Sequence, residues 1–202
     1  MLLLEKLDGY KIILGSKSPR RYELLKGMLA CNINSHYPFE VVVKETQENY
    51  PSTLAIKEVP KYLAIKKAEA FTNEACEKTL IITADTIVLL NGNILEKPLS
   101  INEAKKMLAM LSGDKHEVLT GVCLRKNEKY HCFDSLSEVS FRKLNEDEIN
   151  FYAEQFVPLD KAGSYGVQEW IGYIGIEYIS GSYFNVMGLP TQKLYKELME
   201  FL

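Results

Sequence analysis

Residues 14–21 have the sequence LGSKSPRR, and they connect an apolar run at residues 10–14 to a helical pattern. Ser18 can cap a helix whose first position is Pro19, because its side-chain oxygen can bind backbone N–H groups that the first turn leaves unpaired. Proline suits that position because it has no N–H group of its own to pair. The stretch therefore predicts a strand, a turn and the start of a helix, and the rest of the chain is interpreted around it.

The same stretch has the chemistry of an anion site. It adds two hydroxyl groups and three cations to the free N–H groups of a helix start: Ser16, Ser18, Lys17, Arg20 and Arg21. Aligned backbone dipoles, hydrogen-bond donors and positive charge are what a polyphosphate needs. Capped turns with surface arginines are also common in α/β proteins, so a purely structural turn is the alternative on these residues alone.

Composition and charge argue against several classes of protein. The chain has 202 residues, of which 47% are hydrophobic and 25% charged, as in an ordinary globular protein with one sizeable core. Its formal net charge is −3, so no global positive field attracts nucleic acid and any phosphate site must be local. No repeats, low-complexity tracts or flexible linkers interrupt the sequence. We expect one domain over residues 1–202 and no nucleic-acid partner.

The sequence offers no membrane segment and no metal-binding cysteine motif. No stretch approaches the ~20 apolar residues that cross a bilayer, and the MLLL of residues 1–4 is too short for a signal peptide. We expect a soluble, cytoplasmic protein that binds no membrane. The cysteines have wide, irregular spacing, which favours reduced, buried thiols over a zinc site or a disulfide framework. They are Cys31, Cys76, Cys123 and Cys132.

Strand and helix patterns alternate along the chain, which is typical of an α/β sheet. The spacing of apolar residues predicts strands at residues 39–43, 80–90, 94–95, 117–124 and 130–141, and helices at residues 59–73, 101–111 and 145–156, with a last amphipathic helix after residue 190. His116 precedes one of these strands. A lone histidine beside a turn more often binds a backbone carbonyl than performs chemistry, so a structural role is favoured.

Residues 80–90, LIITADTIVLL, form an almost continuous apolar run that Asp85 and Thr86 interrupt. An unpaired aspartate in a buried strand would be destabilising by several kcal/mol. Either Asp85 lies at a strand end and caps a bend, or it faces a site where a metal, water or cation is its partner. The Asn91-Gly92 pair then predicts a hairpin turn that leads back toward Lys97, which alone would be typical of a surface lysine.

Two later segments are rich in glycine and small residues. Residues 160–168 have the sequence DKAGSYGVQ, and residues 182–190 have the sequence SYFNVMGLP. Glycine lets backbone approach a ligand or another element closely. Taken alone, such segments favour close packing over function.

Taken together, six pieces of the sequence resemble the Maf family of nucleotide pyrophosphatases over nearly the whole chain. They are, in order, GSKSPRRYELL, ADTIV with ILEKP, LSGDKHEVLTGV, SEVSF, DKAGSYGVQ and GSYFNVMGLP. The resemblance implies an α/β fold with an elongated mixed β-sheet flanked by helices and two lobes around a central cleft, as in inosine triphosphatases, and usually a homodimer. It also implies hydrolysis of a nucleoside triphosphate to the monophosphate and pyrophosphate with a divalent cation, Mg²⁺ or Mn²⁺.

The resemblance also assigns roles to residues. Asp85 matches the family's proposed general base, and Glu48 matches an acidic residue near the metal, so the two are the expected metal ligands. The expected substrate-binding residues are Ser16, Ser18, Arg20, Arg21, Lys67, Thr86, Lys97 and Gln168. The chain resembles the branch that acts on dTTP and UTP at the positions linked to base choice, which are Arg20, Thr86 and Gln168.

These assignments are chemically coherent. Lysine and arginine side chains can bind the departing pyrophosphate, and their charge offsets the cost of burying Asp85. The amide of Gln168 has a donor and an acceptor that match the carbonyl and N–H edge of uracil or thymine. Gln47 stands where the family often has aspartate, which leaves the number of metal ligands open. Two alternatives stay open: the same reaction on a modified purine triphosphate, and a nucleotide-binding regulator of cell division without turnover.

Overall fold

The computed structural model describes residues 2–32 and 34–202. The helices are α1 (Leu3–Lys6), α2 (Pro19–Met28), α3 (Val59–Glu69), α4 (Ile101–Leu111), α5 (Glu146–Phe156), α6 (Trp170–Gly175), α7 (Tyr183–Met187) and α8 (Thr191–Phe201). The strands are β1 (Lys11–Leu14), β2 (Ala30–Asn32), β3 (Ser35–His36), β4 (Glu40–Val41), β5 (Thr79–Leu90), β6 (Asn93–Leu95), β7 (Lys115–Lys126), β8 (Lys129–Phe141) and β9 (Ile176–Ser180). Short 3₁₀ turns occupy Ile56–Glu58 and Ala162–Ser164.

One mixed sheet contains seven of these strands, in the order β4-β1-β5-β7-β8-β9, with β6 paired to β5. Strand β1 pairs in parallel with β4 and with β5, whereas β6 and β9 run antiparallel to β5 and β8. Strands β2 and β3 form a separate two-stranded sheet. A mixed sheet with helices between its strands confirms the predicted α/β class.

The chain divides into two compact units. The first unit contains the residues up to Asp85 together with Thr120–Ser135 and Gly188–Leu202, and the second contains Thr86–Leu119 and Leu136–Met187. The long strands β5, β7 and β8 each contribute residues to both units. No helix in the described ranges is long and apolar enough to cross a membrane.

Close packing in the first unit places the helix that precedes β5. Gly121 lies on β7 where a Cβ atom would come within 2.3 Å of the backbone nitrogen of Lys61 and 2.4 Å of the carbonyl carbon of Pro60. Glycine therefore lets the start of α3 lie directly on the strand. Further along α3, Ala64 and Ala68 are fully buried against Cys123. Small side chains on both elements hold this helix in place.

We expect Gly121→Ala to lower the free energy of unfolding by about 2 kcal/mol, because the new methyl group meets backbone that cannot rotate away. For a chain of this size, that loss lowers Tm by about 4–8 °C. Gly27→Ala is the matched control: Gly27 is inside α2 with open space around it, so alanine should leave Tm unchanged or slightly higher. Equal melting temperatures for Gly121→Ala and the wild type would contradict the packing argument.

Local signals in the second unit gave correct boundaries. Ser100 caps α4 by accepting a hydrogen bond from the Glu103 N–H group, as predicted. Asn145 caps α5 in a capping box with Glu148. The predicted face of α4 is buried, and its residues are Ala104, Met107, Leu108 and Leu111. The hairpin predicted at Asn91-Gly92 joins β5 to β6.

Three predictions were wrong in detail. The strand predicted at residues 39–43 is only Glu40–Val41, and the helix predicted to residue 73 ends at Glu69. Cys31 and Cys76 are exposed rather than buried. Cys31 belongs to the small separate sheet, whose strand β2 is exposed throughout, and Cys76 lies in the turn before β5. Cysteine composition alone does not reveal whether its segment has a buried face.

Candidate functional site

The turn between β1 and α2 has the predicted capped geometry. Ser18 is the N-cap, its hydroxyl accepts a hydrogen bond from the Arg21 N–H group at 3.4 Å, and Pro19 is the first helical residue. The buried hydroxyl of Ser16 accepts from the Ser18 N–H group at 3.1 Å. Gly15 allows this turn to lie against the protein interior, since a Cβ atom there would approach Thr83 within 2.8 Å. Two hydroxyl groups are thus fixed at the start of a helix.

Arg21 connects this turn to two distant segments of the first unit. Its Nε donates to the Gly188 carbonyl and its Nη1 to the Ala84 carbonyl, both at 2.8 Å, and Nη1 also reaches Ser16 Oγ at 3.4 Å. Burial lowers the pKa of the Arg21 guanidinium, and the Asp85 carboxylate opposes that shift. A guanidinium remains charged at any ordinary pH. Arg21 is therefore a fixed cation beside the helix start, with several of its donors already bound to the protein. The neighbouring Arg20 lies on the same turn and is half-buried.

Asp85 and Glu48 share one cation. Helix α3 supplies Lys67, whose ammonium nitrogen lies 2.6 Å from Asp85 Oδ1 and 2.7 Å from Glu48 Oε1. The side chains of Lys67 and Asp85 are 17% and 13% exposed, whereas Glu48, in the loop after β4, is 52% exposed. Partial burial strengthens the Lys67–Asp85 pair relative to a surface ion pair. The structure thus brings together three of the predicted site residues.

This geometry decides between the two interpretations of Asp85. Strand β5 continues from Thr79 to Leu90 without a break, so Asp85 is not at a strand end. Its partner is the Lys67 ammonium, which confirms the interpretation that a cation compensates the carboxylate. Because the strand on either side is buried, the carboxylate is held in a fixed position within an apolar element.

The same pair of carboxylates fits a divalent metal with few protein ligands. Asp85 and Glu48 each place an oxygen within 2.7 Å of one nitrogen, so a single cation can contact both. Across the described residues, no group of three or more His, Cys, Asp and Glu side chains could hold a metal. Mg²⁺ is commonly bound by one or two carboxylates, with water and substrate phosphates completing its shell. Two hard oxygen ligands fit that pattern.

The other predicted residues belong to the second unit. Thr86 is half-buried next to Asp85 on β5, and Lys97 is exposed in the segment between β6 and α4. Gln168 lies between the 3₁₀ turn and α6, and its buried Oε1 atom has no hydrogen-bond partner among the described residues. Buried acceptors are almost always satisfied, so an orphaned one needs an explanation, such as a ligand that donates to it.

A buried network beside Gln168 escaped the sequence analysis. The Lys161 ammonium lies 3.1 Å from Glu169 Oε1, and the Tyr152 hydroxyl donates to the other oxygen of Glu169. The same hydroxyl accepts from the Gly166 N–H group at 3.0 Å. Burial, and then the Glu169 carboxylate, raise the pKa of Tyr152, which keeps it a donor. This network fixes the backbone on both sides of Gln168. No local sequence signal pairs Tyr152 with Glu169, because the two residues are far apart in the sequence.

Comparison with known proteins identifies relatives of this chain. The chain matches the family described as Maf-like protein over residues 11–201. A Bacteroides fragilis protein named dTTP/UTP pyrophosphatase is 49% identical over 198 residues, 98% of this chain and 100% of that protein. A Phocaeicola vulgatus protein of the same name is 50% identical over 197 residues, 97% of this chain and 98% of that protein.

A solved structure shows the same fold at low sequence identity. The Staphylococcus aureus Ham1 protein superimposes with a TM-score of 0.50 and 16% identity, over 93% of this chain and 99% of that chain. Its likeness extends to the fold alone. The family match covers almost the whole sequence, and the relatives match from end to end. On this basis, the chain belongs to the Maf family.

Proposed function

We propose that this protein hydrolyses dTTP and UTP to the nucleoside monophosphate and pyrophosphate, by attack of water on the α-phosphate. The names of its relatives support this substrate class. The observation that carries the proposal is the Lys67 ammonium bound to Asp85 at 2.6 Å and to Glu48 at 2.7 Å, within the unit that also contains the capped turn at the start of α2.

In this mechanism, Asp85 is the general base. Its carboxylate accepts a proton from the attacking water, and the new P–O bond forms as the bond from the α-phosphorus to the bridging oxygen breaks. The electron pair of the broken bond leaves with pyrophosphate. Lys67 orients the carboxylate through its hydrogen bond to Asp85 Oδ1. Strand β5 fixes the backbone of Asp85 before the substrate binds, so the reaction does not require this segment to become ordered.

The capped turn would bind the phosphates. The N–H groups at the start of α2, the hydroxyls of Ser16 and Ser18, and the guanidinium of Arg20 supply donors and positive charge. Arg21 adds a fixed charge that its carbonyl contacts hold in place. Donors fixed before the reaction stabilise the charge that develops on the departing pyrophosphate.

Asp85 and Glu48 would hold the divalent cation, Mg²⁺ or Mn²⁺. Such an ion would offset phosphate charge when bound with the triphosphate. The proposal requires Lys67 to release at least one carboxylate oxygen, which Glu48 permits because it is half exposed. Two protein ligands leave room for phosphate oxygens and water in the metal shell.

Base selection is assigned to Gln168, with Thr86 as a second contact and Lys97 as a phosphate ligand. The support for Gln168 is its buried, unpartnered Oε1 atom, which could accept a hydrogen bond from the ring N–H group of uracil or thymine. Its amide NH₂ group could donate to an adjacent carbonyl of the same base. Cytosine lacks that N–H group, so the amide would discriminate against CTP.

The test is a hydrolysis panel with the purified protein. With Mg²⁺ or Mn²⁺, we expect pyrophosphate to be the first phosphorus product from dTTP and UTP, at rates well above those for CTP and the purine triphosphates. A chelator should remove the activity, and added metal should restore it. Orthophosphate as the first product would exclude the reaction. A clear preference for inosine, xanthosine or methylguanosine triphosphate would keep the chemistry and replace the substrate.

We propose further that residues 1–202 form one domain, because three strands run through both compact units. A cytoplasmic homodimer stays a prediction. Size-exclusion chromatography with light scattering distinguishes a dimer from a 23.0 kDa monomer.

A further inference from the structure

Two cysteines face each other across the hairpin of β7 and β8. The turn between these strands has two residues, Asn127 and Glu128. Cys123 is three residues before the end of β7, and Cys132 is three residues after the start of β8. In an antiparallel hairpin, this equal spacing places the two residues opposite each other. Their sulfur atoms are 2.7 Å apart, and both thiols are free.

The two thiols have different surroundings. Cys123 is fully buried against Ala64 and Ala68 of α3, whereas Cys132 is half-buried at the edge of that cluster. The hydrogen-bonded contact with Cys123 lowers the pKa of the Cys132 thiol, and the Lys61 cation adds to that effect. The same contact and burial raise the pKa of Cys123. The accessible thiol is thus the more acidic one, which is the arrangement of an attacking thiol beside a resolving thiol.

We propose that Cys123 and Cys132 form a reversible modification site, at which a low-molecular-weight disulfide such as oxidised glutathione converts the two thiols to a disulfide within the chain. The Cys132 thiolate attacks one sulfur of the small disulfide, the small S–S bond breaks, and one small thiol leaves with a proton from solvent. Cys123 then loses its proton and attacks Cys132 sulfur, which expels the second small thiol. The protein loses two protons and two electrons, and the small disulfide takes them up to become two thiols.

The geometry favours this pair over the other cysteines. Opposite positions in a hairpin have the Cα separations that disulfides require, so the bond needs only small movements of the side chains. Cys31 and Cys76 are exposed and lie on other segments of the first unit. Either of them would form a mixed disulfide with glutathione or a bond to another chain. A disulfide within one chain would therefore identify Cys123 and Cys132 as the modified pair.

The experiment uses the full chain with Cys31→Ser and Cys76→Ser, which leaves only the proposed pair. Reduced protein, unfolded in denaturant, should show two reactive thiols. After incubation with oxidised glutathione and removal of the excess, we expect no reactive thiols, a chain mass lower by ~2 Da, and one chain in nonreducing electrophoresis. Dithiothreitol should restore both thiols.

Cys132→Ser on the same background is the control. Since Cys132 is half-buried, serine should be tolerated, and the variant should lose the ~2 Da decrease on oxidation. The proposal would be overturned if the paired protein kept two thiols, gained the mass of a glutathione, or formed a covalent dimer. The first measurement uses the native pair, so it stands even if a Cys123 or Cys132 variant fails to fold.

Discussion

Asp85→Asn should leave a folded protein that releases pyrophosphate from dTTP and UTP about 10²–10⁴-fold more slowly than the wild type, the usual contribution of a general base. Asparagine has the shape of aspartate, and its amide oxygen can still accept a hydrogen bond from the Lys67 ammonium. It cannot accept the proton of the attacking water. The expected loss is therefore in kcat, measured as pyrophosphate release at saturating nucleotide and metal.

A matched control separates the base from the general loss of a negative charge. Asp134 belongs to the same unit and lies 3.7 Å from the Lys61 ammonium, but it is not among the proposed site residues. Asp134→Asn should retain activity within about threefold, because a partly exposed ion pair contributes little. If Asp85→Asn did the same, Asp85 would not be the base. Circular dichroism and Tm of both variants show whether either change unfolds the protein.

The same substitution distinguishes an enzyme from a regulator that only binds nucleotide. A regulator would keep its cellular effect with Asp85→Asn, since nucleotide binding would persist without turnover. An enzyme would lose its cellular effect together with its rate. Comparing both measurements on one variant therefore separates the two functions, which the sequence alone left open.

Elements with strong local signals were predicted well. Ser18 with Pro19 and Asn91 with Gly92 each satisfy a backbone requirement within a few residues, so the correct turn or cap follows from neighbouring residues. The carboxylate at Asp85 was conspicuous because it interrupts an apolar strand. That it needed a compensating partner followed from the cost of burial.

Partners far apart in sequence could not be identified in this way. Nothing near Arg21 indicates that it binds the Gly188 carbonyl, because that contact depends on how α2 packs within the first unit. The ion pair of Glu48 with Lys67 similarly depends on the conformation of the loop after β4. The cysteine pair is different: its equal spacing about a two-residue turn was present in the sequence, but only the strand boundaries make the symmetry visible.

A second large effect is expected on the stability of the protein at low pH, and its source is His116. It is 2% exposed, its Nε2 is 2.7 Å from the Tyr165 hydroxyl, and its ring stacks on Phe141 with centroids 5.7 Å apart. Its Nδ1 has no hydrogen-bond partner in the described parts of the chain. Burial lowers the pKa of His116 from 6.5 to about 4, with partial opposition from Asp114. The structural role favoured from the sequence fits this enclosed position.

The lowered pKa fixes the sign of a pH effect. Between pH 6.5 and about 4, the unfolded chain binds a proton on this histidine and the folded chain does not, so the free energy of unfolding falls as the pH falls. Above pH 6.5, the histidine is neutral in both the folded and the unfolded chain, so it no longer makes the free energy of unfolding depend on pH. As the pH falls from 6.5 to about 4, the free energy of unfolding of the wild type should fall by on the order of 3 kcal/mol more than that of His116→Gln, whose side chain does not titrate.

Urea unfolding of the wild type and His116→Gln at pH 7 and pH 4 measures this difference, because carboxylates that titrate in both proteins cancel. Tyr165→Phe is the control: it removes the hydroxyl next to Nε2 but keeps a buried histidine, so it should lower stability at both pH values and retain the acid slope. If His116→Gln loses as much stability on acidification as the wild type, the buried histidine is not the source. In that case, paired carboxylates such as Glu148, whose pKa the Arg142 guanidinium lowers, would account for the acid sensitivity.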